Sequence, residues 1–224
     1  MKIALFGAEA AAIEPKVIAA GFSIDTLHPE IVMACGGDGT LLKSEATYPE
    51  VPKFLLKNSK TCKLCIPHSA DEVLKRLNNN EYTIQEVHKL KLEAGGHTWY
   101  ALNEVVIRNQ NPRHASRFSL ETPLQSFKEV IGDGVIIATV FGSTGYYRSI
   151  TKNTFQSGIG IAFNNTAQFL DSLVVPDKDF KCVVEIIRGP AVAFADIIPD
   201  EAVLDDGGVA TVSLSEKKAR IVTF

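Results

Sequence analysis

The sequence predicts a mixed α/β and α+β protein, with an N-terminal α/β, Rossmann-like domain over residues 1–88 and a β-rich C-terminal domain over residues 89–224. Two observations predict it. In the first part, short apolar runs alternate with segments of helical composition, the pattern of a parallel sheet with covering helices. From about residue 82 the runs become closely spaced and strand-like, with glycine turns between them. The chain has 224 residues, 46% of them hydrophobic, enough to bury a sizeable core without staples.

Each element has a local reason. Residues 2–6, KIALF, form the first buried strand. The N-terminal stretch has the lysine and apolar patch of a poor signal peptide, but Glu9 and Glu14 interrupt it. Residues 9–20 are Ala-rich with Glu and Lys, good helix composition, and Gly21 is the stop. Residues 31–34 are a short buried strand and residues 41–46 start a second helix, with Thr40 able to cap it. Residues 53–56 are a third apolar run. Residues 70–77 give a further helix with Ser69 as N-cap.

The second half reads as strands at residues 82–87, 90–94, 98–108, 116–121, 135–141, 158–163, 182–187, 191–197 and 210–214. Gly95-Gly96 marks a hairpin. Gly132-Asp133-Gly134, Arg188-Gly189-Pro190 and Asp206-Gly207-Gly208 supply turn chemistry. A short helix interrupts at residues 143–150. The last strand, residues 219–224, can pair in either domain.

Composition excludes several classes. Lys and Arg total 23 against 26 Asp and Glu, a net charge of -3. No basic footprint for nucleic acid is present. No apolar run reaches the roughly 18 residues of a membrane span. Cys35, Cys62, Cys65 and Cys182 read as reduced cytoplasmic thiols. Cys62 and Cys65 form a C-x-x-C pair, half a zinc site, but no second pair matches it. His28, His68, His88, His97 and His114 are scattered without metal spacing. Trp99 beside Tyr100 reads as core or interface rather than a stacking platform.

The informative stretch is CGGDGTLLKSEA, residues 35–46. A strand running into Gly-Gly-Asp-Gly-Thr and then a helix builds an anion site, because glycines admit a phosphate to the backbone and the helix N-terminus favours negative charge. Asp38 is out of place beside a phosphate unless a metal intervenes or the carboxylate does chemistry, taking a proton from an attacking hydroxyl. A tight connection with Asp38 as a local cap fits the same residues. The spacing is neither a Walker P-loop nor G-x-G-x-x-G.

Strand-GGDGT-helix resembles the hallmark of the NAD kinase and diacylglycerol kinase superfamily. Two further stretches narrow the resemblance to the NAD kinase family: Ala101-Leu102-Asn103-Glu104-Val105, and Gly132-Asp133-Gly134-Val135-Ile136-Ile137-Ala138-Thr139 followed by Gly142-Ser143-Thr144-Gly145-Tyr146. The match covers residues 32 to about 149. It implies the two-domain fold with the site between the domains, and phosphorylation of the 2′-hydroxyl on the adenosine ribose of NAD by ATP or polyphosphate. It further implies Asp38 as general base. Gly36, Gly37, Gly39, Thr40 and Asn58 would hold phosphate and nucleotide. Asn103 and Glu104 would bind polar groups of NAD, Asp133 a ribose, and Thr144, Tyr146 and Ser149 the dinucleotide, often from a neighbouring subunit. Mg²⁺ arrives with the nucleotide, with no metal site of the chain's own. The enzyme is expected to be cytoplasmic, a homodimer or homotetramer, without nucleic-acid or membrane partners.

The chain departs from the family pattern at five places, one of them a short N-terminal region before GGDGT. The second glycine loop, G-x-N-x-G-x-x-G-F, is represented by residues 56–64, LKNSKTCKL, in which only Asn58 survives. Val140-Phe141 stand for Thr-Pro, Gly145 stands for Ala, and the glycine pair after that helix is missing from residues 149–152. Two other readings follow: a kinase of another hydroxyl acceptor, such as a lipid or nucleoside, or a non-catalytic dinucleotide-binding protein on the same scaffold.

Overall fold

The computed structural model describes residues 1–57 and 69–224. Asn58, the Cys62 and Cys65 pair, His68 and the 58–64 part of the altered loop lie outside the described residues. The chain divides into two units, Met1–Val87 with Lys218–Phe224, and His88–Lys217.

The first unit runs β1 (Lys2–Phe6), α1 (Ala10–Ala19), β2 (Ser23–Ile24), β3 (Ile31–Gly36), α2 (Asp38–Thr47), β4 (Lys53–Lys57) and α3 (Ala70–Asn78). Its strands are parallel in the order β2-β1-β3-β4. All side chains of residues 31–35 in β3 are buried, as a sheet covered on both faces requires. The amphipathic helix α3 sets Val73, Leu74 and Leu77 into a core with Ile3, Val17, Met33, Phe54 and Val222. Its cap is the expected one: Ser69 Oγ accepts the Glu72 N–H at 3.3 Å.

Strand β5 (Thr83–Ala94) leaves the first unit and enters the second. There follow β6 (His97–Ala101), β7 (Glu104–Asn109), β8 (Ser116–Glu121), β9 (Ser126–Gly132), β10 (Gly134–Ala138), a 3-10 turn (Phe141–Thr144), α4 (Tyr146–Thr151), β11 (Ile159–Asn164), β12 (Leu173–Val175), β13 (Lys181–Arg188), β14 (Ala191–Ala195), β15 (Ala202–Leu204) and β16 (Val209–Thr223). The last strand returns to the first unit, where Ile221 pairs with Lys53 of β4.

Within the second unit one sheet holds β13 between β8 and the start of β16. The other runs β12-β11-β10-β7-β14-β15, antiparallel throughout. Inward side chains of both sheets, among them Phe118, Leu120, Val184, Val105, Ile137 and Ile161, share one core. On the outer face of β7, β10 and β11, Tyr147 of α4 and Phe155 pack over Val106, Ile136 and Ala162.

Several expectations are corrected. Residues 98–108 are two strands, broken at Leu102-Asn103, and residues 82–94 are one. The strand expected at 210–214 runs on through Glu216 and Lys217, which are exposed. Helix α2 starts at Asp38 rather than residue 41, and Thr40 is not its cap: Gly37 is, and the Thr40 N–H donates to the Gly37 carbonyl at 2.8 Å. The reason is local. A carboxylate in the first turn favours helix there, glycine is tolerated as the cap, and only Gly39 is a low-propensity residue inside the helix.

Candidate functional site

In the first unit the strand order 2-1-3-4 reverses between β1 and β3. In an open parallel sheet, ligands bind in the crevice beyond the carboxyl ends of the strands at such a reversal. The carboxyl ends here are Gly7, after β1, and Gly36, at the end of β3. Gly7 has φ of +113°, and a Cβ there would strike the Cys35 carbonyl and lie 2.7 Å from the Thr40 methyl. The two strand ends therefore touch through backbone, which only glycine permits.

The three glycines of the turn have different reasons. A Cβ on Gly36 would collide with the Thr40 hydroxyl, so Gly36 is needed for the turn to close. Gly37 and Gly39 meet nothing within 4 Å among the described residues. Packing does not demand glycine at either position; the open face leaves room for a ligand to reach the backbone N–H groups of the α2 N-terminus. Asp38, partly exposed, stands between them in the first turn of α2. Cys35 next door is no nucleophile: burial, with some help from Glu9, pushes its thiol up to about 11.

In the second unit the Leu102-Asn103 connection between β6 and β7 is held on both sides. The Asp196 carboxylate, just past β14, accepts the N–H groups of Leu102 at 2.7 Å and of Asn103 and Glu104 at 2.9 Å. Thr139, just past β10, donates its N–H to the Asn103 carbonyl at 2.9 Å and its hydroxyl to the Leu102 carbonyl at 2.6 Å. Gly142 lies flat on Asn103, where any Cβ would strike the Asn103 carbonyl. A Cβ on Gly145 would come within 3.2 Å of Glu104 Oε2 and 3.6 Å of Asn103 Nδ2. Asn103 Oδ1 and Glu104 Oε2 are buried with no hydrogen-bond partner among the described residues. Two orphaned polar atoms on adjacent residues are a group built for something else to complete.

The electrostatics of this group are unusual. Burial, then the neighbouring Asp196 carboxylate, pushes the Glu104 carboxyl up to about 8, against the Tyr146 N–H that favours the anion. Burial also raises Asp196, to about 6, against its three N–H donors and Lys89. Two carboxyls in one desolvated pair cannot both ionise freely. Asp196, with three donors, takes the charge, and Glu104 holds the proton at neutral pH.

The remaining candidate residues scatter. Tyr146 lies beside this group, and its hydroxyl accepts from Asn164 Nδ2 at 3.4 Å. Thr144 is partly buried in the preceding 3-10 turn. Ser149 is exposed, and its hydroxyl donates to the Tyr146 carbonyl at 2.7 Å. Asp133 is not brought to Asn103 and Glu104. It lies at the other end of β10, where the Asn109 and Asn165 amides donate to it at 3.3 and 3.0 Å. Among the described residues no cluster of three or more His, Cys, Asp or Glu forms a metal site. No helix among them is long and apolar enough to cross a membrane.

Sequence reasoning missed Asp196, and it quoted Thr139 only as the end of the 132–139 motif, without its part in holding Asn103. Asp196 was absorbed into a strand expected over 191–197. Its φ of +49° ends that strand at Ala195, a conformation that Asp tolerates better than most residues. A lone Asp closing an apolar run was the available signal.

No family model matches the sequence. An NAD kinase of Sulfurisphaera tokodaii is 29% identical over 216 residues, spanning 91% of this chain and 85% of that protein. An NAD kinase of Saccharolobus islandicus (strain M.14.25 / Kamchatka #1) is 30% identical over 213 residues, spanning 91% and 83%. The crystal structure of an NAD kinase from Archaeoglobus fulgidus in complex with ATP superposes with a TM-score of 0.83 at 20% identity, covering 99% of this chain and 93% of that one. Shared ancestry along nearly the whole length, together with GGDGT at the strand reversal and the Asn103-Glu104 group, means that the chain belongs to the NAD kinase family.

Proposed function

We propose that this protein transfers a phosphoryl group from ATP, or from polyphosphate, to the 2′-hydroxyl on the adenosine ribose of NAD, giving NADP. One observation carries the reading: Asp38 stands in the first turn of α2, flanked by two glycines with open faces, at the strand reversal of a parallel sheet. A ribose hydroxyl is a weak nucleophile, and a placed carboxylate that accepts its proton contributes roughly 10²–10⁴-fold. Backbone N–H groups at Gly36, Gly37 and Gly39, with the Thr40 hydroxyl, hold phosphate oxygens, while the Thr40 N–H is taken by the Gly37 carbonyl. Mg²⁺ entering with the nucleotide would supply charge neutralisation at the transferred phosphoryl group. The ATP complex of the Archaeoglobus fulgidus protein supports ATP as donor.

In the second unit Asn103 offers one amide, both donor and acceptor, to a base edge. Glu104 and Tyr146 complete the polar lining of that group. Asp133, about 17 Å from Glu104 at roughly 3.4 Å per strand residue, serves a different part of the dinucleotide or the site of a second copy of the chain. The latter arrangement would need a homodimer or homotetramer. Buried, reduced Cys35 and Cys182 fit a cytoplasmic protein.

The test is a coupled assay for NADP with purified protein, NAD, ATP and Mg²⁺. Turnover in the wild type and its loss in Asp38→Asn is the expected result. An Asp38→Asn protein with full activity would remove Asp38 as base. A wild type that binds NAD without turnover would replace the kinase by a binding protein.

A further inference from the structure

The second unit carries a hollow of about 620 Å³ that neither GGDGT nor Asn103-Glu104 uses. It opens between residues 110–116, after β7, and residues 188–190, between β13 and β14. Its charged lining is Arg113 and Arg188, with His114 beside them and no carboxylate among the lining residues. The Arg113 guanidinium and the His114 ring make no hydrogen bond or ion pair among the described residues. Arg188 makes one, to the Ala115 carbonyl at 3.2 Å. Ser116 also lines the hollow; it is 3% exposed, and no described residue hydrogen-bonds its hydroxyl.

The loop is fixed before any ligand arrives. The Gln110 N–H donates to the Pro190 carbonyl at 3.1 Å, and the His114 N–H to the Asn111 carbonyl at 3.1 Å. Asn111 Oδ1 accepts the Arg113 N–H at 3.0 Å, and Asn109 Nδ2 donates to the His114 carbonyl at 2.9 Å. Two carboxylates approach these loops, and both are engaged. Asp206 accepts the Gly189 N–H at 2.7 Å, and Asp133 accepts the Asn109 and Asn165 amides. Basic side chains thus stand on a loop backbone that is already held in place.

We propose that this hollow is a second anion site, which binds a phosphate-bearing small molecule through Arg113, Arg188 and Ser116. Guanidinium forks match phosphate oxygens two at a time. A hollow of this size lies in the range of roughly 300–1,000 Å³ that holds a small molecule rather than a lone phosphate. It sits past the far end of β7 from Glu104, so a ligand here leaves Asn103 and Glu104 uncovered.

The experiment is a nuclear magnetic resonance titration of the full chain at low salt, with inorganic pyrophosphate and separately with ADP. It follows the backbone signals of residues 113–116 and the Nε–H signals of Arg113 and Arg188. Saturable shifts at both arginines are expected. Arg113→Ala/Arg188→Ala, with an unchanged melting temperature, should weaken the response at residues 113–116 at least tenfold. Should that variant unfold, Ser116→Ala should weaken it about threefold. Tighter binding of ADP means that the hollow also holds the nucleoside; equal binding means that it reads phosphate alone. Unmoved arginine signals at saturating pyrophosphate, or wild-type affinity in the folded variants, overturn the proposal. The readout is local to this loop and independent of NADP formation.

Discussion

Asp196 and Glu104 are tied backbone to side chain and backbone to backbone: Asp196 Oδ1 accepts the Glu104 N–H at 2.9 Å, and the Asp196 N–H donates to the Glu104 carbonyl at 2.9 Å. Two acids locked at this range in a desolvated group share one charge unequally, and that has a consequence for pH.

Glu104 titrates near 4.5 when unfolded and about 8 when folded. Between those values the folded chain binds the extra proton, so stability falls as pH rises through that window and levels off above it. Asp196, raised from 3.8 to about 6, adds the same sign over a narrower range. Glu104→Gln cannot ionise. Its melting temperature should fall less between pH 5 and pH 8 than that of the wild type, and should match or exceed it at pH 8. Parallel curves would mean that Glu104 is charged throughout.

Gly7 and Gly39 separate the needs of the fold from those of the ligand. Gly7→Ala places a methyl group at φ of +113° against the Cys35 carbonyl. Substitution where φ is positive and backbone blocks the way should cost about 2 kcal/mol or more. Gly39→Ala meets nothing within 4 Å among the described residues and lies in α2. It should gain up to about 1 kcal/mol of stability from helix propensity. It should nevertheless bind nucleotide at least tenfold more weakly, read by thermal melts and calorimetry on the same samples.

Lys53 and Glu45 form an ion pair buried at 0% and 5% side-chain exposure, and Lys53 Nζ also donates to the Tyr48 carbonyl at 2.9 Å. Removing one partner strands a charge. Lys53→Met alone should destabilise by about 3–5 kcal/mol, while Lys53→Met with Glu45→Leu should recover most of that loss. Urea unfolding of the two variants makes the comparison.

Asp38→Asn keeps shape and size. NADP formation should fall by roughly 10²–10⁴-fold, the usual contribution of a general base, with little change in melting temperature or in KM for NAD. A loss confined to KM would make Asp38 a binding residue instead.

The sequence made the parallel half of the fold legible, because β1, α1, β3 and α3 each carry a local signal: an apolar run, Ala-rich composition, a cap at Ser69. The glycine turn was legible as an anion site, yet the start of its helix was not, since glycine-rich residues hide a helix that charge and tertiary packing fix. Strand β9, SFKEVIG, escaped notice because only Val130 and Gly132 are buried in it. The continuity of β16 was hidden by Glu216-Lys217-Lys218, which read as a break but lie in an unbroken strand, the first two exposed and Lys218 partly buried. Within the site, Asn103 and Glu104 were legible by resemblance. Asp196 bonds Glu104 from 92 residues away and Thr139 bonds Asn103 from 36, and no local pattern in the sequence encodes such contacts.

The return of β16 also orders events on the ribosome. Residues 88–217 form a contiguous unit, complete in itself once Lys217 has emerged. The first unit is made first but cannot be finished first, because Val222 and Phe224 belong to its core and Ile221 pairs with its edge strand β4. The half translated earliest therefore waits for the half translated later. Its apolar β4 edge stays uncovered through most of synthesis, which makes it the segment that a chaperone would shield.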